Sequence, residues 1–252
     1  MTKNNPALSL QEISSTFAKE LPLREKTVVF PIGSNEQHGP HLPMGTDTII
    51  LDAVVEGVRK QFSADDPIVF APSIPLGKSP EHLEFCGTIS LRATTLIAIF
   101  EDIVNSMQKH GVKKIVFLNS HGGNTALLAS LAFDLRYTYK MGIYSLNFWN
   151  NDLVNADAIE QVFPHLSYPE IHAASIETSL MLYLRPELVG EIPQDFKPKK
   201  PFPDIAFGWA AQDLSENGVI GDPRQSNAEH GEKLFQLLVE GATTKLKAIA
   251  QS

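Results

Sequence analysis

Four short runs in this chain are apolar nearly throughout, and helical patterns lie between them. They are 27–32 (TVVFPI), 68–71 (IVFA), 114–119 (KIVFLN) and 142–149 (GIYSLNFW). A strand with one wet face alternates polar and apolar residues. A strand without that alternation is covered on both faces, as in a parallel sheet between two helix layers. Helical spacing is read over 48–61, 96–109, 125–140, 170–184 and 226–250, with Gly111 as the left-handed cap of the second helix. The expected fold is α/β, a three-layer α/β/α sandwich with a mainly parallel central sheet, in one domain over 1–252. The region from Glu187 to Asp222 is rich in Pro and polar residues. It reads as a long excursion near the site or at a subunit contact, not as a second domain.

Such sheets present ligand-bearing residues just beyond the carboxyl ends of their strands. The first run is followed by Gly33-Ser34-Asn35-Glu36-Gln37-His38-Gly39-Pro40-His41-Leu42-Pro43-Met44-Gly45-Thr46-Asp47. Glu36, His38 and Asp47 offer the mixture of carboxylate and imidazole that a hydrolytic metal ion takes. Glu36 and His38 are two apart, so an extended backbone points both to one side. Asp47 precedes a helical run and reads equally well as an N-cap. His121 follows the third run in Asn119-Ser120-His121-Gly122-Gly123-Asn124, where two glycines let the backbone approach a ligand closely. The plain reading there is a strand-to-helix turn capped by Asn124. A phosphate-cradling loop would need the glycine fingerprint or the lysine that this segment lacks.

A third segment holds His172 and Glu177, five apart on a predicted helix and therefore pointing well over a quarter-turn apart. Glu177 enters an apolar stretch, where a carboxylate needs a partner. A metal or Arg185 would serve. His82 lies in a loop expected to face the same rim, as a substrate contact, a support to the ligands or a solvated residue. His41 suits a hydrogen bond, and His110, His165 and His230 suit surface or capping positions. Trp149 and Tyr168 suit an aromatic wall, although core packing is the commoner fate of such residues. Cys86 has no activating base beside it, which argues against a thiol nucleophile.

Composition narrows the function classes. A net charge of −8 disfavours nucleic acid or an anionic membrane as partner. No apolar run is long enough to span a bilayer, and residues 1–20 lack the pattern of a signal peptide. Cys86 is the one cysteine, so an intramolecular disulfide is impossible and a reducing cytoplasm is the expected setting.

The three motifs together, in this order, resemble the creatininase family: Glu36-Gln37-His38-Gly39-Pro40-His41-Leu42-Pro43 with Thr46-Asp47, then 119–124, then His172-Ala173-Ala174-Ser175-Ile176-Glu177. The similarity runs from about Thr27 to the final helix and includes Gly221-Asp222-Pro223. It implies a Rossmann-like fold and a metal-dependent amidohydrolase with two divalent ions per chain, Zn, Mn or Fe. By resemblance Glu36 and His121 hold one ion, His38 holds the other, Asp47 bridges them, and His172 is the catalytic histidine. Creatininase proper places a further carboxylate where this chain has Gly123; other members use the residue matching Glu177, and that role passes to Glu177 here. Backbone N–H groups near Gly122 and Gly123 would help hold the oxyanion. Gly123 and Tyr168 both depart from creatininase proper and weigh against creatinine as substrate. A small cyclic amide or formamide is the first expectation. Cleavage of a mycofactocin-type precursor peptide and deformylation of a formamidopyrimidine nucleotide are the alternatives. Lys78, Arg92 and Arg136 would be the candidates to meet a phosphate. The resemblance also implies a homo-oligomer, often a hexamer in this family, with 197–203 as a candidate contact. A non-catalytic metal- or ligand-binding protein on the same fold is a further alternative, as is a nicotinamide-dependent enzyme, which lacks its fingerprint here.

Overall fold

A computed structural model describes residues 6–164, 166, 170–194 and 208–252. Five strands form one sheet: β1 (Leu8–Ser9), β2 (Thr27–Ile32), β3 (Ile68–Phe70), β4 (Lys114–Asn119) and β5 (Gly142–Asn147). All neighbouring pairs are parallel, in the order β1-β3-β2-β4-β5. The helices are α1 (Ser15–Glu20), α2 (Thr46–Arg59), α3 (Ala93–Lys109), α4 (Gly122–Tyr139), α5 (Ala156–Val162), α6 (Ser175–Leu184), α7 (Ala211–Leu214) and α8 (Ala228–Gln251).

Every residue of β2 is buried, as expected of a strand covered on both faces. Its side chains alternate between two cores. Val29 packs with Ile50, Leu51 and Val54 of α2, Leu180 of α6 and Leu234 and Leu238 of α8. Val28, Phe30 and Ile32 pack with Leu96, Phe100 and Val104 of α3 and Leu128, Leu131 and Leu135 of α4. Helices therefore cover both faces, and the three-layer α/β/α expectation is met. β1 is a two-residue edge strand, and α1, α5 and α7 are short; hydrophobic spacing had not marked any of the four.

The connection from β2 leads through α2 to β3 on one side, whereas β4 lies on the other side and continues outward to β5. The chain thus reverses its winding between β2 and β4. A crevice opens beyond the carboxyl ends of strands at such a point. Glu36 follows β2 and His121 follows β4, so both reach that crevice.

Two of the expected helices begin elsewhere in a way that bears on the site. The helix expected over 170–184 starts at Ser175, because His172 makes an antiparallel bridge to Ile220 and Ala173 sits in the left-handed region at φ 52°. The helix expected from 125 begins at Gly122. A side chain at Gly123 would collide with the Lys78 carbonyl and approach Glu81 Oε1 to 2.6 Å, so tight contact explains glycine in a first helical turn. Within the 187–222 excursion, Gly218 and Ile220 return to the site, and Trp209 lines it. The proposed 197–203 contact lies outside the described residues.

Candidate active site

His121 is the N-cap residue of α4 and is buried. Its Nε2 lies 3.0 Å from the Lys78 carbonyl and 3.1 Å from Ser79 Oγ. A carbonyl can only accept, so Nε2 carries a proton, and Nδ1 is the nitrogen that keeps the lone pair whenever the ring is neutral. That Nδ1 lies 3.3 Å from Glu36 Oε1 and 3.4 Å from Asp47 Oδ2. Glu36 is held from behind by Ser34, whose hydroxyl donates to Oε2 at 3.1 Å. Supports of this kind orient metal ligands and fix their tautomers.

Asp47 is not the helix cap: Gly45 holds that position, and Asp47 stands in the first turn of α2, buried, with its carboxylate turned into the crevice. One carboxylate oxygen is 3.8 Å from His38 Nε2 and the other faces His121. His38 is fixed by its Nδ1, 3.1 Å from the Glu36 carbonyl. Its Nε2 also lies 3.7 Å from Glu177 Oε1. Glu177 does not pair with Arg185, which meets Glu187 instead. The left-handed turn at Ala173 lets that N–H donate to Glu177 Oε2 at 2.6 Å. His172 does not share a helix with Glu177, so the angle expected between them does not apply. His172, His38 and Glu177 instead bring one ligand atom each to a common point, as do Glu36, Asp47 and His121.

Two polar atoms here are buried without a hydrogen-bond partner, His38 Nε2 and Asp47 Oδ2. Burial works against a charge on His38, but Glu177, Asp47 and Glu36 outweigh it and raise its pKa to about 10. Burial likewise opposes charge on His121, and Glu36 and Asp47 raise it well above its ordinary value. Asp47 is pushed up to about 6 by burial and by Glu36. Glu177 is drawn down to about 2, His38 outweighing the cost of burial. This crowd of carboxylates and imidazoles includes two groups of three whose ligand atoms lie close enough together that they could hold a metal ion.

A cavity of about 470 Å³ opens over these groups and is lined by His82, Gly122, Gly123, Trp149 and Trp209 among others. Gly122 and Gly123 open α4, where backbone N–H groups have no partner within the helix. Trp149 is anchored by its indole N–H to the Ser120 carbonyl at 2.6 Å. Tyr168 and His165 lie outside the described residues. His41 sits aside and bonds Thr178. His110 caps α3, and His230 stands near the start of α8, bonded to Asn227.

The family model for creatinine amidohydrolase matches residues 11–246. The chain belongs to the creatininase family. Among curated relatives, the mycofactocin precursor peptide peptidase of Mycolicibacterium smegmatis is 33% identical over 241 residues, covering 93% of this chain and 90% of that protein. The creatinine amidohydrolase of Pseudomonas putida is 29% identical over 240 residues, covering 87% and 88%. A solved structure named creatininase Mn superposes with a TM-score of 0.80 at 24% identity, covering 96% of this chain and 98% of that one.

For a creatininase-family hydrolase, the residues that the sequence did not reveal include Trp209 in the cavity wall and several amides. Asn124 was expected to cap a helix; it lies inside α4. It accepts from the Lys78 N–H at 2.9 Å and donates to the Gly33 carbonyl at 3.2 Å. Asn119 donates to the His121 carbonyl at 2.8 Å. These side chains tie the loops after β2 and β4 together, and nothing in the sequence marks which backbone groups they will meet.

Proposed function

We propose that this protein is a metal-dependent amidohydrolase that cleaves a C–N bond in a small cyclic amide or formamide. The observation that carries the reading is Asp47. Its two oxygens face His38 on one side and His121 on the other, and two buried atoms of the group, His38 Nε2 and Asp47 Oδ2, lack a hydrogen-bond partner. Glu36 and His121 suit one divalent ion and His38 and Glu177 a second, with Asp47 shared. Bound there, such ions acidify water and polarise a carbonyl oxygen. Mixed imidazole and carboxylate donors accept Zn, Mn or Fe.

The chain's own groups supply the rest. His172 is neutral at working pH: burial and the neighbouring His38 lower it to about 4. Its Nε2 faces the Gln37 carbonyl, which leaves the Nδ1 lone pair toward the cavity, 3.7 Å from Glu36 Oε1. That nitrogen takes a proton from attacking water and returns it to the departing nitrogen. The N–H groups of Gly122 and Gly123 are available to the carbonyl oxygen as it gains charge. Among the described lining residues none is Lys or Arg, which weighs against a phosphorylated nucleotide. Gly123 has no room for the carboxylate of creatininase proper, which turns the reading away from creatinine. A peptide amide is the second reading, favoured by the 33% identity to a precursor peptidase.

We place the activity in one domain, in the cytoplasm and in a homo-oligomer such as a hexamer. Among the described residues no helix is long and apolar enough to cross a membrane. The test is hydrolysis of a panel of cyclic amides, formamides and short peptides by protein loaded with Zn or Mn, before and after chelation. Metal-dependent release of amine from a small amide supports the first reading, and turnover of peptides alone selects the second. Turnover that survives chelation contradicts both.

A further inference from the structure

Gln37 stands between two proposed metal ligands, yet its side chain turns away from them. Its Oε1 accepts from the Gly39 N–H at 2.8 Å, and its Nε2 donates to the Gly218 carbonyl at 3.2 Å. The reverse orientation would set NH₂ against an N–H and carbonyl against carbonyl, so these two backbone groups fix the amide. Room for it is built in. Gly218 has φ +85°, and a side chain there would occupy the space of the Gln37 amide.

The same Nε2 lies 2.8 Å from His82 Nδ1. An amide nitrogen can only donate, so His82 Nδ1 must keep its lone pair. The neutral ring then carries its proton on Nε2, which points to Glu36 Oε1 at 3.6 Å. His172 stacks on His82, centroids 4.2 Å apart, and its Nε2–H meets the backbone carbonyl of the same Gln37. Both rings are therefore protonated on Nε2 but are turned oppositely. His82 shows the cavity an N–H, and His172 shows it a lone pair.

We propose that Gln37 is a positioning residue that keeps His82 an N–H donor, so that His82 binds the carbonyl oxygen of the scissile amide and takes no metal. This rests on the amidohydrolase reading above. As water adds to the carbonyl carbon, the C=O π pair moves onto oxygen and the His82 N–H hydrogen-bonds it without giving up its proton. The proton in transit belongs to His172. The rival assignment is an ion held by Glu36, His82 and His172, whose ligand atoms also converge. It would require a bare Nε2 on His82, which Gln37 opposes.

The test is ¹⁵N NMR of histidine-labelled, Zn-treated protein, with His82→Gln and His172→Gln to assign the signals, beside metal counts for wild type and His82→Ala. The expected pattern for His82 is a bare Nδ1 and a protonated Nε2, with Gln37→Glu shifting the proton to Nδ1. His82→Ala keeps the wild-type metal count, and on any hydrolysed amide its turnover falls about 100- to 1000-fold, as for loss of one oxyanion donor. His82→Gln, which retains an N–H, recovers part of that loss. A protonated Nδ1 in wild type, or metal lost from His82→Ala, overturns the proposal. Should Gln37→Glu not fold, the wild-type spectrum and the His82→Ala count still decide. A wild type that binds no Zn removes the metal-hydrolase reading instead, and its spectrum still reads the His82 tautomer.

Discussion

His38 carries the electrostatic problem of the site in one ring. Its folded pKa of about 10 lies above the ordinary 6.5, so without metal it holds a proton at neutral pH. A raised value of this kind adds stability that is complete below pH 6.5 and is lost as pH rises through about 10. A divalent ion needs the neutral ring, so loading must expel that proton. Chelated protein is therefore expected to melt at falling temperature between pH 7 and 10, while loaded protein is spared most of that fall. A chelated protein whose melting point stays level over that range speaks against the pairing of His38 with Glu177 and Asp47. His172→Gln is expected to lower turnover by about 10²- to 10⁴-fold with metal content unchanged, as for loss of a proton-transfer group. Metal loss equal to activity loss would move His172 into the ligand set. The convergence of these side chains was legible in the sequence through three motifs that resemble one family, the first of them packing Glu36, His38 and Asp47 behind a buried strand. Gln37, Asn119 and Asn124 were not, since their roles depend on backbone groups brought from distant segments.

At the scale of elements, α6 delivers Glu177 and α8 holds α6 in place. Gly231 of α8 lies so close to the Ser179 carbonyl of α6 that a side chain would overlap it. Gly231→Ala is expected to cost about 1–3 kcal/mol, the usual range for overpacking. It should also loosen metal binding by displacing Glu177. Thermal melts with metal titrations check this, and an Ala variant with wild-type stability and affinity would show that the two helices give way freely. Long helices with clean spacing, such as α3 and α8, were readable within a few residues. The start of α6 was not. Ala173-Ala174 favours helix locally, but the bridge from His172 to Ile220 holds the preceding residues extended. Tertiary contact overrode propensity at the point where the site needed His172 on a separate segment.

At the scale of the whole molecule, the parallel sheet sets the site where winding reverses between β2 and β4. Strands without alternation announced that sheet, and ligands just after two of them announced the rim. The substrate was less legible, because the cavity wall joins residues distant in sequence, Trp149 and Trp209 among them. In the proposed function Asp47 joins two cation sites. The most direct test is elemental analysis of protein purified without chelator and reloaded with Zn or Mn, together with Asp47→Asn and Glu177→Gln. Two divalent ions per chain are expected, both lost or much weakened in Asp47→Asn and one lost in Glu177→Gln. A wild-type chain that takes up no divalent ion, or an Asp47→Asn chain that keeps both, would contradict it.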